Sequence, residues 1–284
     1  MEGKTCLITG ASDGIGYASA RELARMGATV VIVGRNNVKT AAAAECIIGE
    51  TGNREVRYML ADLSSQGDVR SLADQVKQQV PRLDVLVNNA GAIFLSNRRS
   101  VDGIEMTFAL NHLGYFLLTT LLLDLLKRSK PARIVNVSSS SHFSVRSLHL
   151  EDLPKPGSNR GYRAYGRSKL CNILFTYELA RRLEGSGVTV NALHPGLVRT
   201  NIARVNGLLG RVVNFFIGVR GVDATRGAET LNYLATSPVV EATTGKFFVD
   251  CRAVPSSLLS YDAGLASDLW ELSERLIAPG AMAA

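Results

Sequence analysis

The stretch Lys4-Thr-Cys-Leu-Ile-Thr9-Gly10-Ala-Ser12-Asp13-Gly14-Ile15-Gly16 decides the fold, because it predicts a strand, a glycine turn and the start of a helix in succession. Glycines permit positive φ and let a backbone approach a pyrophosphate, while a helix N-terminus offers unpaired N–H groups and partial positive charge. The pattern therefore predicts a dinucleotide site rather than an ordinary strand-to-helix turn. The candidate residues of this turn are Gly10, Ser12, Asp13, Gly14, Ile15 and Gly16.

Apolar runs alternate with helical patterns along the rest of the chain, and no linker interrupts them. The runs are almost continuously apolar, which is typical of strands covered on both faces. We predict one α/β domain over residues 1–284, a Rossmann-type doubly wound parallel sheet of about seven strands with helices on both faces. The predicted strands lie near residues 4–9, 28–34, 56–61, 83–88, 132–138, 188–193 and 246–250.

Three irregular segments, residues 139–162, 195–222 and 251–262, are predicted to shape a pocket at the carboxyl ends of the strands. Within them, residues 204–220 mix three arginines with leucine, valine, phenylalanine and isoleucine. This composition suits a lid over a lipophilic substrate, a surface that touches a membrane, or core. We favour the lid, which we place at residues 197–222.

Composition excludes several classes of protein. The 284 residues are 46% hydrophobic and 20% charged, as in folded domains, and the net charge is +7. The basic residues are scattered, so no nucleic-acid partner is predicted. The four cysteines stand far apart and the four histidines lack ligand spacing, so neither disulfides nor a metal site is expected. A reducing, cytoplasmic location fits.

The chain ends and apolar runs predict no membrane segment. The first residues already have the pattern of a strand, so no signal peptide is expected. The longest apolar stretch, Phe116 to Leu123, is shorter than the roughly 20 residues that a span needs, and it predicts a buried helix.

Tyr165 and Lys169 lie four residues apart in a predicted helix and therefore share one face. An ammonium about 4 to 5 Å from a phenol, at an effective dielectric near 20, stabilises the phenolate by roughly 3 to 4 kcal/mol. That would bring the pKa of Tyr165 from about 10 toward neutrality and make it a proton donor and acceptor.

The second and third strands end in residues suited to the adenosine half of a dinucleotide. The second ends with Arg35-Asn36, where many NAD enzymes carry an acid, and an arginine there would bind a 2′-phosphate. NADP(H) is therefore favoured over NAD(H), with a solvent-exposed Arg35 as the alternative. The third strand ends with Asp62-Leu63, and Asp62 either accepts from the adenine amino group or caps a helix.

These motifs together resemble the short-chain dehydrogenase/reductase family over essentially the whole chain. The sequences Asn111-His-Leu-Gly-Tyr-Phe, His194-Pro-Gly-Leu-Val198 and Phe247-Phe-Val-Asp-Cys251 resemble its retinol dehydrogenase-like branch. In their order along the chain, the motifs that carry the family resemblance are Thr9-Gly-x-x-x-Gly-x-Gly16, Asn88-Asn89-Ala90-Gly91, Asn111, Ser139, Tyr165-x-x-x-Lys169 and Pro195-Gly196.

The resemblance implies a role for each residue. Ser139, with Ser140 as the alternative, would hydrogen-bond the substrate oxygen, and Tyr165 would exchange a proton with it. Lys169 would lower the pKa of Tyr165 and bind the nicotinamide ribose, while Asn111 would hold a water that relays protons to Lys169. The remaining implied cofactor residues are Asn89, Ala90 and Gly91 along the adenosine ribose and the cleft, and Pro195, Gly196, Val198 and Thr200 around the nicotinamide.

The resemblance therefore implies an oxidoreductase that interconverts a lipophilic alcohol and its carbonyl, with a homo-oligomer as an open alternative. Asp13 departs from members that carry a basic residue in the glycine turn, so the NADP(H) prediction depends mainly on Arg35. A non-catalytic cofactor-sensing or scaffolding protein is the rival class, and it has no need for a phenol of low pKa. A sugar-nucleotide epimerase is disfavoured by the glycine spacing, and a serine hydrolase by the lack of a Gly-x-Ser-x-Gly elbow.

Overall fold

A computed structural model describes residues 1–157, 161–196 and 223–278. Its centre is one eight-stranded sheet with the strand order β3-β2-β1-β4-β5-β6-β7-β8. The first seven strands are parallel, which confirms the predicted doubly wound arrangement. The strands are β1 Thr5–Thr9, β2 Thr29–Gly34, β3 Val56–Leu60, β4 Val85–Asn88, β5 Ala132–Val137, β6 Val188–His194, β7 Phe247–Val249 and β8 Arg252–Val254.

The eighth strand corrects the prediction of about seven, and it runs antiparallel to β7. Asp250 and Cys251 form the turn between these strands, with positive φ angles of 47° and 60°. Such turns usually contain Asn-Gly or Asp-Gly, so the Asp-Cys pair carries no recognisable hairpin signal. β8 lies within the predicted irregular segment 251–262, and at three residues it is too short to show a strand pattern in the sequence.

Helices cover both faces of the sheet. They are α1 Gly14–Arg25, α2 Asn37–Thr51, α3 Gln66–Gln79, α4 Met106–Phe108, α5 Gly114–Arg128, α6 Gly161–Arg182, α7 Ala224–Thr236 and α8 Ala263–Ile277. Leu7 of β1 packs in the core on the side of α3 and α5, whereas Cys6 and Ile8 pack on the side of α1. Successive residues of a strand face opposite sides, so both faces of β1 are buried, as its apolar run predicted.

The run from Met106 to Arg128 is helical throughout and includes a π-helical turn at Ala109–Leu113. Its 23 residues, with a mean hydropathy of 1.4, make it the one described helix long and apolar enough to cross a membrane. It is longer than the stretch 116–123 suggested, because α4 and the π-helical turn extend it toward the N-terminus. Some 72% of its apolar window is buried inside the protein, and Phe116, Leu122 and Leu126 belong to the core.

The segments predicted to be irregular contain short helical turns. Residues 140–144 and 150–152 form 3₁₀ turns within the first segment, and residues 258–261 form another within the third. The predicted lid at 197–222 lies outside the described residues.

Candidate active site

A cavity of about 600 Å³ opens at the carboxyl ends of the parallel strands. Three of the predicted site residues are not part of its lining: Gly16, Asn36 and Asn111. Two more lie outside the described residues, Val198 and Thr200. The predicted residues that line it are Gly10, Ser12, Asp13, Gly14, Ile15, Arg35, Asp62, Leu63, Asn89, Ala90, Gly91, Ser139, Ser140, Tyr165, Lys169, Pro195 and Gly196.

The glycine turn packs directly on the Asn89-Ala90 segment that follows β4. A Cβ on Gly10, whose φ is +66°, would lie 2.7 Å from the Cα of Ala90. A Cβ on Gly16 would lie 2.5 Å from the Nδ2 of Asn89, so Gly16 serves the packing of the turn instead of lining the cavity. The Oγ1 of Thr9 accepts hydrogen bonds from the backbone N–H groups of Asn89 and Ala90, at 2.9 and 3.1 Å. The two cofactor motifs therefore form one rigid unit.

The N-terminus of α1 already carries a carboxylate. Asp13 is the N-cap residue, and its Oδ1 accepts from the backbone N–H of Gly14 at 2.8 Å. Its Oδ2 forms a 2.7 Å ion pair with Lys39, the third residue of α2. Both side chains are about half exposed, so the pair is weak and can be displaced by an anion.

The end of β2 presents basic side chains to the cleft. Arg35 is exposed at the carboxyl end of the strand and lines the cavity, as does Lys39. Asn36 instead caps α2, because its Oδ1 accepts from the backbone N–H of Lys39 at 2.9 Å. Asn36 is not part of the cavity lining, and its predicted cofactor contact stays a prediction.

Asp62 lines the cavity just after the end of β3, and its Oδ1 accepts from the backbone N–H and the hydroxyl of Ser64, at 2.9 and 2.7 Å. Helix α3 is capped by Ser65, so Asp62 stabilises the turn before the helix and is not itself the helix cap.

Tyr165 and Lys169 lie on one face of α6, as their spacing predicted, and both line the cavity while being almost completely buried. The Nζ of Lys169 lies 5.6 Å from the centroid of the Tyr165 ring. It donates a 2.9 Å hydrogen bond to the carbonyl of Val137, the last residue of β5. The lysine is thus held against the end of the sheet behind the tyrosine.

The predicted pKa change of Tyr165 is wrong for the protein by itself. Burial raises the pKa of Tyr165 well above its usual value, although a hydrogen bond from Ser139 opposes this increase. Burial also lowers the pKa of Lys169 to about 7. The attraction between the two groups favours the phenolate and the ammonium, but their removal from water disfavours both charged forms.

The serines of the run 138–141 make different contacts. The hydroxyl of Ser138 donates to the carbonyl of Lys169 at 2.7 Å and so joins β5 to α6. Ser139 lies close enough to Tyr165 to lower the pKa of its phenol, while its Oγ donates to the Oγ of Ser141 and accepts from the backbone N–H of Ser141, both at 3.2 Å. Ser140 is exposed. This geometry favours Ser139 over Ser140 as the serine next to the tyrosine.

Asn111 is completely buried within the π-helical turn, and π-helical turns frequently mark functional sites. Its amide exchanges two 3.0 Å hydrogen bonds with the backbone of Ala92 and donates to the Oγ of Ser168 at 3.1 Å. A Cβ on Gly91 would lie 3.2 Å from the Oδ1 of Asn111 and 3.4 Å from the Nζ of Lys169. The side chain of Asn111 therefore lies close to Lys169, but its hydrogen bonds join the segment after β4 to α6.

A family model described as short chain dehydrogenase matches residues 4–207, which include the glycine turn, Asn111, Ser139, Tyr165 and Lys169. This chain is a short-chain dehydrogenase. It is 43% identical to human retinol dehydrogenase 14, and the alignment covers 98% of this chain and 87% of that protein. The dehydrogenase therefore belongs to the retinol dehydrogenase-like branch, and the family it belongs to consists of oxidoreductases that bind nicotinamide cofactors.

Solved structures agree with this assignment. The dehydrogenase superposes with a TM-score of 0.79 on a Mycobacterium paratuberculosis protein that is 36% identical, over 97% of this chain and 94% of that one. It also superposes, with a TM-score of 0.70 and 29% identity, on a structure described as a Pseudomonas aeruginosa RhlG/NADP active-site complex, over 87% of this chain and 94% of that one.

Four residues of the dehydrogenase at or beside the cleft were not selected from the sequence. Lys39 is a basic residue that follows Arg35 closely in the sequence, and that proximity is the signal that could have found it. Tyr162 and His194 line the cavity, and the Nδ1 of His194 has no hydrogen-bond partner among the described residues. Gly166 lets α6 pack closely on the serine turn, since a Cβ there would lie 2.9 Å from the carbonyl oxygen of Ser141. The positions of Tyr162, His194 and Gly166 relative to the cleft are evident only from the fold.

Over residues 1–157, 161–196 and 223–278, no group of three histidine, cysteine or acidic side chains could hold a metal ion. The expectation that the dehydrogenase needs no metal remains a prediction.

Proposed function

We propose that this short-chain dehydrogenase interconverts a lipophilic alcohol and its ketone or aldehyde, using NADP(H), with Tyr165 as the general acid and base. The observation that carries the proposal is the position of Tyr165 in the cleft, with Ser139 near enough to lower the pKa of its phenol and the Nζ of Lys169 5.6 Å from its ring. A buried phenol between a hydroxyl and an ammonium is suited to passing one proton to and from an oxygen atom.

The residues around the cleft fit a dinucleotide. Two glycines hold the turn against Ala90 and Asn89 where a Cβ would collide, and Gly91 leaves space beside Lys169. When bound, the nicotinamide cofactor accepts a hydride from the carbinol carbon or returns it to the carbonyl carbon. Ser139 would orient the substrate oxygen, and Tyr165 would take the hydroxyl proton during oxidation and return it during reduction. Lys169, held by Val137, would stabilise the phenolate and bind the ribose.

NADP(H) is supported by Arg35 and Lys39 at the end of β2, where an acidic residue would favour NAD(H). The Pseudomonas aeruginosa relative described as an NADP complex supports the same choice. In this proposal Lys39 would exchange its exposed ion pair with Asp13 for the 2′-phosphate, a dianion with which a lysine interacts more strongly.

The substrate class follows from the retinol dehydrogenase relatives and from the apolar side chains of Ile93 and Leu110 in the cavity lining. The proposal also takes residues 1–284 as a single domain with a cytoplasmic location. Residues 197–222 would form a lid over the substrate, with a surface that touches a membrane as the alternative for residues 204–220. Both segments after Gly196 lie outside the described residues.

A screen of retinoid, steroid, terpenoid and short aliphatic carbonyls and alcohols, followed by NADPH absorbance, tests the proposal directly. We expect turnover of at least one lipophilic compound by the purified protein and none by Tyr165→Phe. The rival function, cofactor sensing without catalysis, would give NADPH binding with no turnover of any compound in either protein.

A further inference from the structure

His142 lies in the 3₁₀ turn that follows Ser139, and it is completely buried. Its Nδ1 is 2.6 Å from the carbonyl oxygen of Ser139, and its Nε2 is 3.1 Å from the backbone nitrogen of Ser257. The imidazole therefore joins two backbone atoms that are far apart in the chain.

The chemistry of these partners decides the state of the ring. A carbonyl oxygen can only accept a hydrogen bond, so Nδ1 must carry the proton. A backbone N–H can only donate, so Nε2 must be unprotonated. Both contacts are satisfied together only by the neutral imidazole with its proton on Nδ1. Burial lowers the pKa of His142, which agrees with this assignment.

The ring is also fixed by packing. Phe143 lies against it with 4.0 Å between ring centroids, and Phe247 of β7 meets it edge-on at 4.9 Å. The segment that supplies Ser257 is itself held to α6, because Tyr177 and Ser256 share a 2.7 Å hydrogen bond. The imidazole is therefore a rigid link between the serine turn and a firmly held part of the protein.

We propose that His142 is a positioning residue that holds Ser139 in place for the reaction, through the bridge from the Ser139 carbonyl to the Ser257 backbone. The Ser139 carbonyl accepts from both the Nδ1 and the backbone N–H of His142, the latter at 3.2 Å, so His142 contacts this carbonyl twice. Loss of the bridge lets Ser139 move relative to Tyr165. The inference depends on the proposed function, in which Ser139 orients the substrate oxygen.

Nitrogen-15 NMR of the protein labelled at histidine tests the bridge without any activity measurement. The chain has four histidines, and the His142 signals are those missing from His142→Gln. We expect a protonated Nδ1 and an unprotonated Nε2 at pH 7. An Nε2-protonated tautomer or an imidazolium at that pH overturns the proposal.

Three substitutions of His142 show how much each of its two hydrogen bonds, to the Ser139 carbonyl and from the Ser257 backbone N–H, contributes to activity. Asparagine reaches only the Ser139 carbonyl, glutamine places its amide nearer Ser257, and leucine makes neither hydrogen bond. We expect His142→Leu to lower kcat roughly tenfold to a hundredfold, the effect of a misplaced site residue, with the cofactor Kd changed by less than about twofold. His142→Asn should recover more of this kcat than His142→Gln.

His149→Gln is the matched control, since His149 is an exposed histidine seven residues further on, and its kcat should equal that of the wild type. An unchanged kcat in His142→Leu, or equal loss in all three His142 variants, overturns the positioning role. If His142→Leu does not fold, the tautomer and the comparison of asparagine with glutamine still decide. Activity retained by Tyr165→Phe would instead overturn the proposed function and leave the NMR result intact.

Discussion

Lys169 reaches from helix α6 to the end of strand β5, where its Nζ donates a 2.9 Å hydrogen bond to the carbonyl of Val137. Ser139 follows Val137 by two residues and lies close enough to Tyr165 to lower the pKa of its phenol. The lysine, the serine and the tyrosine are therefore positioned by one contact between strand and helix. Ser138 strengthens that contact through its hydrogen bond to the Lys169 carbonyl.

The Tyr165→Phe substitution removes the transferable proton and little else, so we expect turnover to fall at least a thousandfold while the cofactor Kd changes less than about threefold. Lys169→Ala should lower both the turnover and the affinity for the cofactor, because the ammonium is proposed to bind ribose. Steady-state kinetics and fluorescence titration with NADPH measure the two effects. More than a few per cent of wild-type activity in Tyr165→Phe would show that another group supplies the proton.

The lowered pKa of Lys169, about 7, makes stability depend on pH in a defined direction. Between pH 7 and about 10.4, the usual lysine pKa, the unfolded chain binds the Lys169 proton more strongly, so the contribution of Lys169 to the free energy of unfolding should rise with pH. The contribution is least favourable below pH 7, and its slope reaches at most about 1.4 kcal/mol per pH unit.

Urea unfolding of wild type and Lys169→Met from pH 6.5 to 9, without added nucleotide, isolates this contribution. The range stops at pH 9 because burial raises the pKa of the Cys6 thiol, whose titration would reverse the trend at higher pH. Lys127→Met, which alters an exposed lysine of α5 and retains Lys169, is the control and should keep the wild-type slope. Parallel curves for wild type and Lys169→Met would contradict the assignment.

Cofactor choice is predicted to depend on Arg35. Its charge-assisted contact to a 2′-phosphate is worth roughly 1.5 to 3 kcal/mol, or about one to two decades of preference. Arg35→Asp should therefore invert the ratio of kcat/KM for NADPH and NADH. Lys39→Ala should reduce the ratio less, because that lysine is already paired with Asp13.

Arg57→Asp provides the matched control for Arg35→Asp, since Arg57 is an exposed arginine on the neighbouring strand β3 and is not part of the cavity lining. Its cofactor ratio should stay at the wild-type value. A wild-type protein that prefers NADH, or an Arg35→Asp protein with an unchanged ratio, would refute the NADP(H) assignment.

Gly166→Ala should impair catalysis through packing alone. The added Cβ would lie 2.9 Å from the carbonyl of Ser141, so the serine turn must move away from α6 and from Tyr165. We expect kcat to fall roughly tenfold or more, because Ser139 and Tyr165 would no longer be correctly placed relative to each other. In Gly49→Ala, the new Cβ of an exposed helical glycine meets nothing within 4 Å. That control should keep full activity and gain up to about 1 kcal/mol in stability.

The sequence by itself determined the order of the elements and most of the site, because those features depend on local patterns. Strand β1, the glycine turn and α1 follow one another in the chain, and the i, i+4 spacing places Tyr165 and Lys169 on one face of α6. The carboxyl ends of parallel strands then bring the motifs together at one edge of the sheet.

Only the tertiary structure decided how these groups are buried and paired, because those properties depend on residues distant in the chain. The pKa direction of Tyr165 reversed once its burial was known. The link from His142 to Ser257 spans 115 residues, and the ion pair of Lys39 with Asp13 spans 26. Spacing along a helix predicts which side chains are neighbours. Their pKa values also depend on burial, which is determined by residues from other parts of the chain that pack over them.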